Sequence, residues 1–421
     1  MIRITTIFTC LLLVTSSLFA QKLNKEEKKL VSIVDQNMTE AIDFLEKIVN
    51  INSGTNNLEG VKEVGNVFKL ELDALGFETK WIDMPPEMKR AGHLFAEREG
   101  NKGKRILLMG HLDTVFEPTG NSQGFIIMDT IAYGPGASDM KGGDMILLFA
   151  LKALHQANLL KNTQLIVSYH GDEEMAGTPI SISRKDIELA AKRSDIALSF
   201  EGATGFGFAT VARRGASHWT LTVTGNQAHS SAIFRPEVGA GAIYESARIL
   251  HRFYDELQEV NLTYSPGIIA GGTIVEEKDN EFILSGKSNI VPNKTVISEE
   301  QKENTRAKMR EIVSENLPGT TAEIVFEDSY PAMQLTEGNM NLLNTLSQIS
   351  IDLGQGEVKA WDPGKRGAGD ISFIAKYVDG LDGLGAMGNG AHSPEEYVYL
   401  NTLDEQIKRT ALLIYRLTRE R

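Results

Sequence analysis

Seven side chains of this sequence, His111, Asp113, Asp139, Glu173, Glu174, Glu201 and His392, are of types that hold divalent cations or move protons. Each stands just beyond an apolar run or inside a glycine-rich turn. The stretch "ILLMGHLDTV" (106–115) places His111 and Asp113 two residues apart, and in extended backbone such a pair points to one side. Asp113 can then accept the second ring N–H of a metal-binding His111, which fixes the tautomer. "YGPGASDMKGGDM" (133–145) carries Asp139 at the opening of a helix, where a carboxylate is stabilised by the helix dipole. "SYHGDEEMAGT" (168–178) crowds Asp172, Glu173 and Glu174 behind the run "TQLIVSY", "LSFEGA" adds Glu201, and "MGNGAHSPEEYV" (387–398) adds His392.

Singly, each is a polar strand end or a helix cap. Together they match a ligand count. Two zinc ions about 3.5–4 Å apart, each near-tetrahedral, take about three protein ligands apiece if one carboxylate bridges. The count predicts His111, Glu174 and bridging Asp139 around one ion, and His392, Glu201 and Asp139 around the other. One acid of residues 172–174 is left to move protons. Cobalt or manganese suits the same N/O ligands. Cysteine is excluded, because the one cysteine, Cys10, lies in the N-terminal leader.

The elements that must position these residues follow from periodicity. Helices are expected at 24–50, 60–75, 142–157, 337–353 and 402–419, and short, nearly all-apolar strands at 77–82, 105–109, 163–169 and 195–200. That alternation indicates an α/β domain whose mixed sheet is covered by helices on both faces. From about residue 215 the texture changes to strands near 216–225, 268–275, 282–291 and 321–327, with helices at 237–257 and 298–316. This β-α-β-β-α-β order is that of a smaller, ferredoxin-like α+β domain. The expected layout is a catalytic domain at 21–214 and 329–421, interrupted by an insert at 215–328.

Residues 1–20, "MIRITTIFTCLLLVTSSLFA", read as a cleaved secretory signal, so the mature chain is expected to be secreted or periplasmic and free of the membrane. A net charge of −13 argues against nucleic acid and anionic membrane as partners.

The order H-x-D, D, E-E, E, H resembles the co-catalytic zinc peptidases of the glutamate carboxypeptidase and succinyl-diaminopimelate desuccinylase family. "GHLDTV", "GASDMKGG", "GDEEMAG", "LSFEGA", "GNQAHSS", "SNIVP", "RGAGDISF" and "GAHSPEEYV" fall in the family's order across nearly the whole mature chain. The resemblance implies Glu173 as general base, Glu174 as terminal ligand, Asp139 as bridge and Asp113 as orienter of His111. It implies further that His229 and Asn289 hold the substrate carbonyl, that the insert is a lid and a dimerisation domain, and that in dimers the histidine arrives from the other subunit. The implied substrate is a small peptide or N-acyl amino acid, cleaved by water acidified at the metals and attacking the amide carbonyl.

Three readings compete within this frame: a carboxypeptidase, an N-acyl amino acid deacylase of the desuccinylase type, and a relative that binds metal or peptide without turnover. Aminopeptidases of the same ligand order are expected to lack the insert. The sequence also departs from the family pattern. "SNIVPNKTVI" passes straight into "SEEQKENTRAKMREIV", where Ser298 and Gln301 form a capping box, so most of a strand and an arginine are expected to be missing and the sheet under-paired there. Ser329-Tyr330 stands where another substrate-clamping arginine is hoped for, which leaves Arg213, Arg214, Arg235 and Arg366 as substitutes.

Overall fold

Asn24 starts the first helix by accepting the N–H groups of Glu26 and Glu27, while the Glu27 carboxylate accepts the N–H of Asn24, so both ends of a capping box are closed. The computed structural model describes residues 23–119, 124–260, 262–271, 287–296 and 299–420, with the backbone path alone for 287–296. The leader with Cys10, and Ser298 of the second expected capping box, lie outside the described residues. Among the described residues no helix is long and apolar enough to cross a membrane.

The chain runs α1 (Lys25–Val49), α2 (Leu58–Ala74), β1 (Glu78–Ile82), β2 (His93–Arg98), β3 (Lys102–His111), α3 (Gly142–Gln156), β4 (Thr163–His170) and β5 (Ile196–Ser199). After the insert it continues through α6 (Glu337–Asp352), β10 (Asp379–Leu381) and α7 (Leu403–Leu417). These strands form one sheet in the order β1-β2-β4-β3-β5-β10, antiparallel at the β1-β2 and β2-β4 steps and parallel thereafter. The β2 strand is absent from the sequence reading, since "HLFAER" shows neither alternation nor a sustained apolar run.

Both sheet faces are covered. Ile106, Leu108, Leu165, Val167 and Leu198 share a core with α1, α2, α3, α6 and α7. Leu107, Met109, Ile166 and Ala197 point the other way, onto the short helices at Lys185–Ala191 and Ile371–Ile374. Burial on both sides is why the central strands read as continuous apolar runs. Helix α3 is buried almost all round, and Gly143 lets its first turn touch the end of β5, since a Cβ there would lie 1.9 Å from the Phe200 carbonyl oxygen.

The interrupting segment runs β6 (Gly215–Gly225), α4 (Ala242–Glu256), β7 (Thr263–Gly271), β8 (Lys287–Val296), α5 (Glu299–Ser314) and β9 (Thr320–Asp328). Its four strands are antiparallel in the order β7-β8-β6-β9. Trp219, Leu221 and Val223 of β6 pack with Ile249 and Phe253 of α4 and Met309 and Ile312 of α5, a core separate from that of the larger sheet. The expected loss of pairing before α5 is corrected: Asn293–Val296 pair with Gly215–His218 on one side, and Asn293–Thr295 with Thr263–Ser265 on the other.

Candidate metal centre

The parallel neighbours β4, β3 and β5 end on one edge of the sheet, so His111 closes β3, the 171–177 loop follows β4, and Glu201 follows β5. Loops beyond parallel strand ends are where such sheets build sites. Asp139 approaches from the turn Ala137–Lys141 ahead of α3. His392 approaches from the loop between two short strands, Gly388–Asn389 and Tyr397–Tyr399, of a small four-stranded antiparallel sheet.

The five ligand candidates converge. His111 Nε2 lies 3.4 Å from Asp139 Oδ1 and 3.8 Å from Glu201 Oε1. His392 Nε2 lies 3.2 Å from Asp139 Oδ2 and 3.0 Å from Glu174 Oε2. Asp139 therefore turns one oxygen to each histidine, as a bridging carboxylate must. Ligands at about 2.0 Å on a tetrahedral ion stand about 3.3 Å apart, which these separations bracket. His111 Nε2 is buried without a hydrogen-bond partner, a costly state that a bound cation would relieve. The residues present thus fit two ions.

The grouping differs from the sequence count. His111 shares its place with Glu201, and His392 with Glu174. Both β4 and β5 flank β3, but Glu201 lies two residues past the end of β5 and meets His111, whereas Glu174 lies four residues past the end of β4, on a loop that carries it to His392.

Electrostatics point the same way. Burial alone would lower the His111 imidazole, yet the nearby carboxylates of Asp113, Asp139, Glu173 and Glu201 push it well above its usual value. Hydrogen bonds to Asp139 and Glu174 push His392 up to about 11. Burial would raise Asp139, but the two histidines that face its oxygens hold it well below the usual carboxylate range. Burial, aided by Asp139 against the pull of Arg213, pushes Glu201 up to about 7. Burial and the charge of Glu201 also push the Glu173 carboxyl well above its ordinary value.

Asp113 acts differently from the expectation. His111 Nδ1 donates to the backbone carbonyl of Asp113 at 3.0 Å, and the nearer carboxylate oxygen is 3.5 Å away. The carboxylate is already filled: it accepts the N–H groups of Glu173 (2.9 Å) and Glu174 (3.1 Å) and the Thr55 hydroxyl (2.7 Å). Asp113 still fixes the tautomer of His111, through its main chain, and its side chain holds the backbones of Glu173 and Glu174.

Glu396 is a positioning residue that sequence reasoning missed. Buried in the His392 loop, it accepts the N–H groups of Gly136 (3.0 Å), Ser138 (2.8 Å) and Asp139 (2.9 Å), and so holds the turn that carries the bridge. The signal was a second acid in "SPEEY", four residues after His392, which the ligand count left unused. Asp172, which had no firm role, is buried and accepts from Gly177 N–H, the Ser183 hydroxyl and Arg184. Asp370 of "RGAGD" pairs with His170 and Arg184.

His93, His170 and Asp172 also cluster in the interior. Both His93 nitrogens are committed, Nδ1 accepting from Gly171 N–H and Nε2 donating to Ser183 O, and Arg184 neutralises Asp172.

The two expected substrate residues lie in the interrupting segment. His229 is exposed and bonds to Ser231. Asn289 lies in β8, paired with Thr222 of β6 and Ala270 of β7.

Residues 107–417 match the model of peptidase family M20/M25/M40. Carboxypeptidase G2 of Pseudomonas sp. (strain RS-16) is 27% identical over 410 residues, covering 93% of this chain and 92% of that protein. A succinyl-diaminopimelate desuccinylase of Rhodospirillum centenum is 24% identical over 358 residues, covering 81% of this chain and 89% of its own. Among solved structures, an aminopeptidase from Bacillus cereus superposes with a TM-score of 0.71 at 18% identity, over 90% of this chain and 99% of its own. Coverage that wide must include much of the insert.

Proposed function

The chain belongs to peptidase family M20/M25/M40, and from that premise we propose that it is a dinuclear zinc hydrolase of amide bonds in small peptides or N-acyl amino acids, working as a carboxypeptidase. The observation that carries this reading is Asp139 turning one oxygen toward each histidine, beside the unpartnered Nε2 of His111. His111, Asp139 and Glu201 would hold one ion, and His392, Asp139 and Glu174 the other. Bound there, the ions supply an acidified water and polarisation of the scissile carbonyl.

The remaining work falls to the chain's own groups. Glu173 takes the water proton and later hands it to the leaving amine. Asp113 and Glu396 position Glu173 and Asp139 through their backbones. Arg366 is proposed to receive the substrate carboxylate. Its Nη2 lies 3.9 Å from Glu201 Oε2 and 4.0 Å from Asp382 Oδ2, and donates to Gly202 O at 3.0 Å. Arg213 is spent on Asp382 and the carbonyls of Gly367 and Ala368. Once Glu201 belongs to a cation, two guanidinium groups face one carboxylate, Asp382, and a positive charge is left over beside the centre. Arg235 is exposed in the insert.

The rest of the proposal follows the sequence reading: residues 1–20 as a leader for export to the periplasm or beyond, and 215–328 as a lid through which two chains pair, presenting exposed His229 to a second copy. The desuccinylase-type deacylase shares every ligand, and similarity to such an enzyme supports it as the second reading. A panel of dipeptides, N-acyl amino acids and peptides blocked at either end separates the readings. A carboxypeptidase cleaves N-blocked peptides and spares C-terminal amides, a deacylase releases only the acyl acid, and hydrolysis of nothing by the two-metal protein ends the proposal.

A further inference from the structure

The two segments that join the insert to the larger domain form a narrow ribbon. Arg213 and Met333 exchange both backbone hydrogen bonds, at 3.1 and 3.0 Å, and Ala216 N–H donates to Tyr330 O at 2.7 Å. Gly215 lies so close to the returning segment that a Cβ there would stand 2.9 Å from both Ala332 N and Tyr330 O. The side chain of Tyr330 leaves this ribbon and enters the larger domain. Its ring meets Phe373 with centroids 4.9 Å apart. Its hydroxyl lies 2.7 Å from Glu173 O and 3.1 Å from Arg184 Nη2.

Chemistry fixes the direction of both bonds. A guanidinium only donates, so Arg184 occupies a lone pair of the hydroxyl, and the hydroxyl hydrogen must go to the Glu173 carbonyl. Arg184 is itself clamped by Asp172 and Asp370. The peptide groups of Glu173 are therefore held from both sides, the N–H by Asp113 and the C=O by Tyr330.

We propose that Tyr330 is a positioning residue for Glu173, and that through it the seating of the inserted domain is felt at the base. Its catalytic consequence rests on the reading of Glu173 given above. A residue of the connecting ribbon that also fixes the base's main chain cannot shift without shifting the base, and a misplacement of about 1 Å costs on the order of 100-fold in rate.

The test is Tyr330→Phe, which keeps the ring and removes only the hydroxyl. Tyr415→Phe is the matched control, deleting a hydroxyl that donates to Glu26 far from the site. Tyr330→Phe is expected to lower kcat about 10-fold or more, with KM within about twofold and zinc content unchanged. Amide hydrogen exchange in 171–177 should rise about 10-fold while that in 106–115 stays put. Tyr415→Phe should do neither.

Gly215→Ala, which presses on the ribbon, should raise exchange in 171–177 in the wild-type background and add nothing in the Tyr330→Phe background. Unchanged exchange in Tyr330→Phe overturns the proposal whatever the activity, and so does an equal fall of kcat in Tyr415→Phe. If the wild type hydrolyses nothing while exchange responds as stated, the functional reading fails and Tyr330 stands as the anchor of the loop.

Discussion

The carboxylate of Asp113 accepts the backbone N–H of Glu173 at 2.9 Å, while the Asp113 main-chain carbonyl accepts the ring N–H of His111 at 3.0 Å. One residue thus addresses His111 with its backbone and Glu173 with its side chain. The division predicts that Asp113→Asn keeps both zinc ions, because the carbonyl remains. Its amide can no longer accept from Thr55, Glu173 and Glu174 together, so kcat should fall about 10- to 100-fold. Zinc content and steady-state kinetics check this, and loss of the His111-side zinc would show that the carboxylate was orienting His111 after all.

The ligand grouping is open to a stoichiometric test. His111→Ala combined with Glu201→Ala should cost one zinc per chain, and so should His392→Ala combined with Glu174→Ala. His111→Ala combined with Glu174→Ala strikes both ions and should cost two. One zinc lost in this last pair would restore the grouping counted from the sequence.

How far the sequence carried the site is visible in that contrast. The five ligand candidates that converge were legible because each interrupts an apolar run or sits among glycines. How these candidates group was not, since it depends on where the loops after β4 and β5 turn, which one-dimensional order does not contain. Glu396 was hidden for a related reason: its partners, Gly136 to Asp139, are about 260 residues away. The long helices were readable from periodicity to within a few residues, because each buries one face or all of itself. Strand β2 was not, since an antiparallel strand near the sheet edge buries unevenly.

Zinc uptake should release protons. Without metal His111 is held well above its usual value and His392 at about 11, so both carry a proton at pH 7. Both must be neutral to bind. Uptake of two ions at pH 7 should therefore release at least two protons per chain, measured by calorimetry in buffers of different ionisation enthalpy. Fewer than one would contradict the arrangement.

Acid stability should depend on His93. Burial, with the neighbouring His170, pushes its pKa down to about 3, against about 6.5 in an unfolded chain. A group depressed on folding contributes stability that is full above its unfolded value and is lost as pH falls toward the folded one. Between about pH 6.5 and 3 the unfolding free energy should drop with a slope approaching about 1.4 kcal/mol per pH unit from this residue. Urea titrations at several pH values should show a shallower fall in His93→Gln, and parallel curves would refute the assignment.

The central claim, that Glu173 moves the proton while Glu174 and its partners hold the ions, is tested most directly by Glu173→Gln. Zinc content and turnover are measured together on the best substrate of the panel. The account predicts two zinc ions retained and turnover reduced about 10²- to 10⁴-fold. Turnover within about threefold of wild type, or loss of a zinc ion, would contradict it.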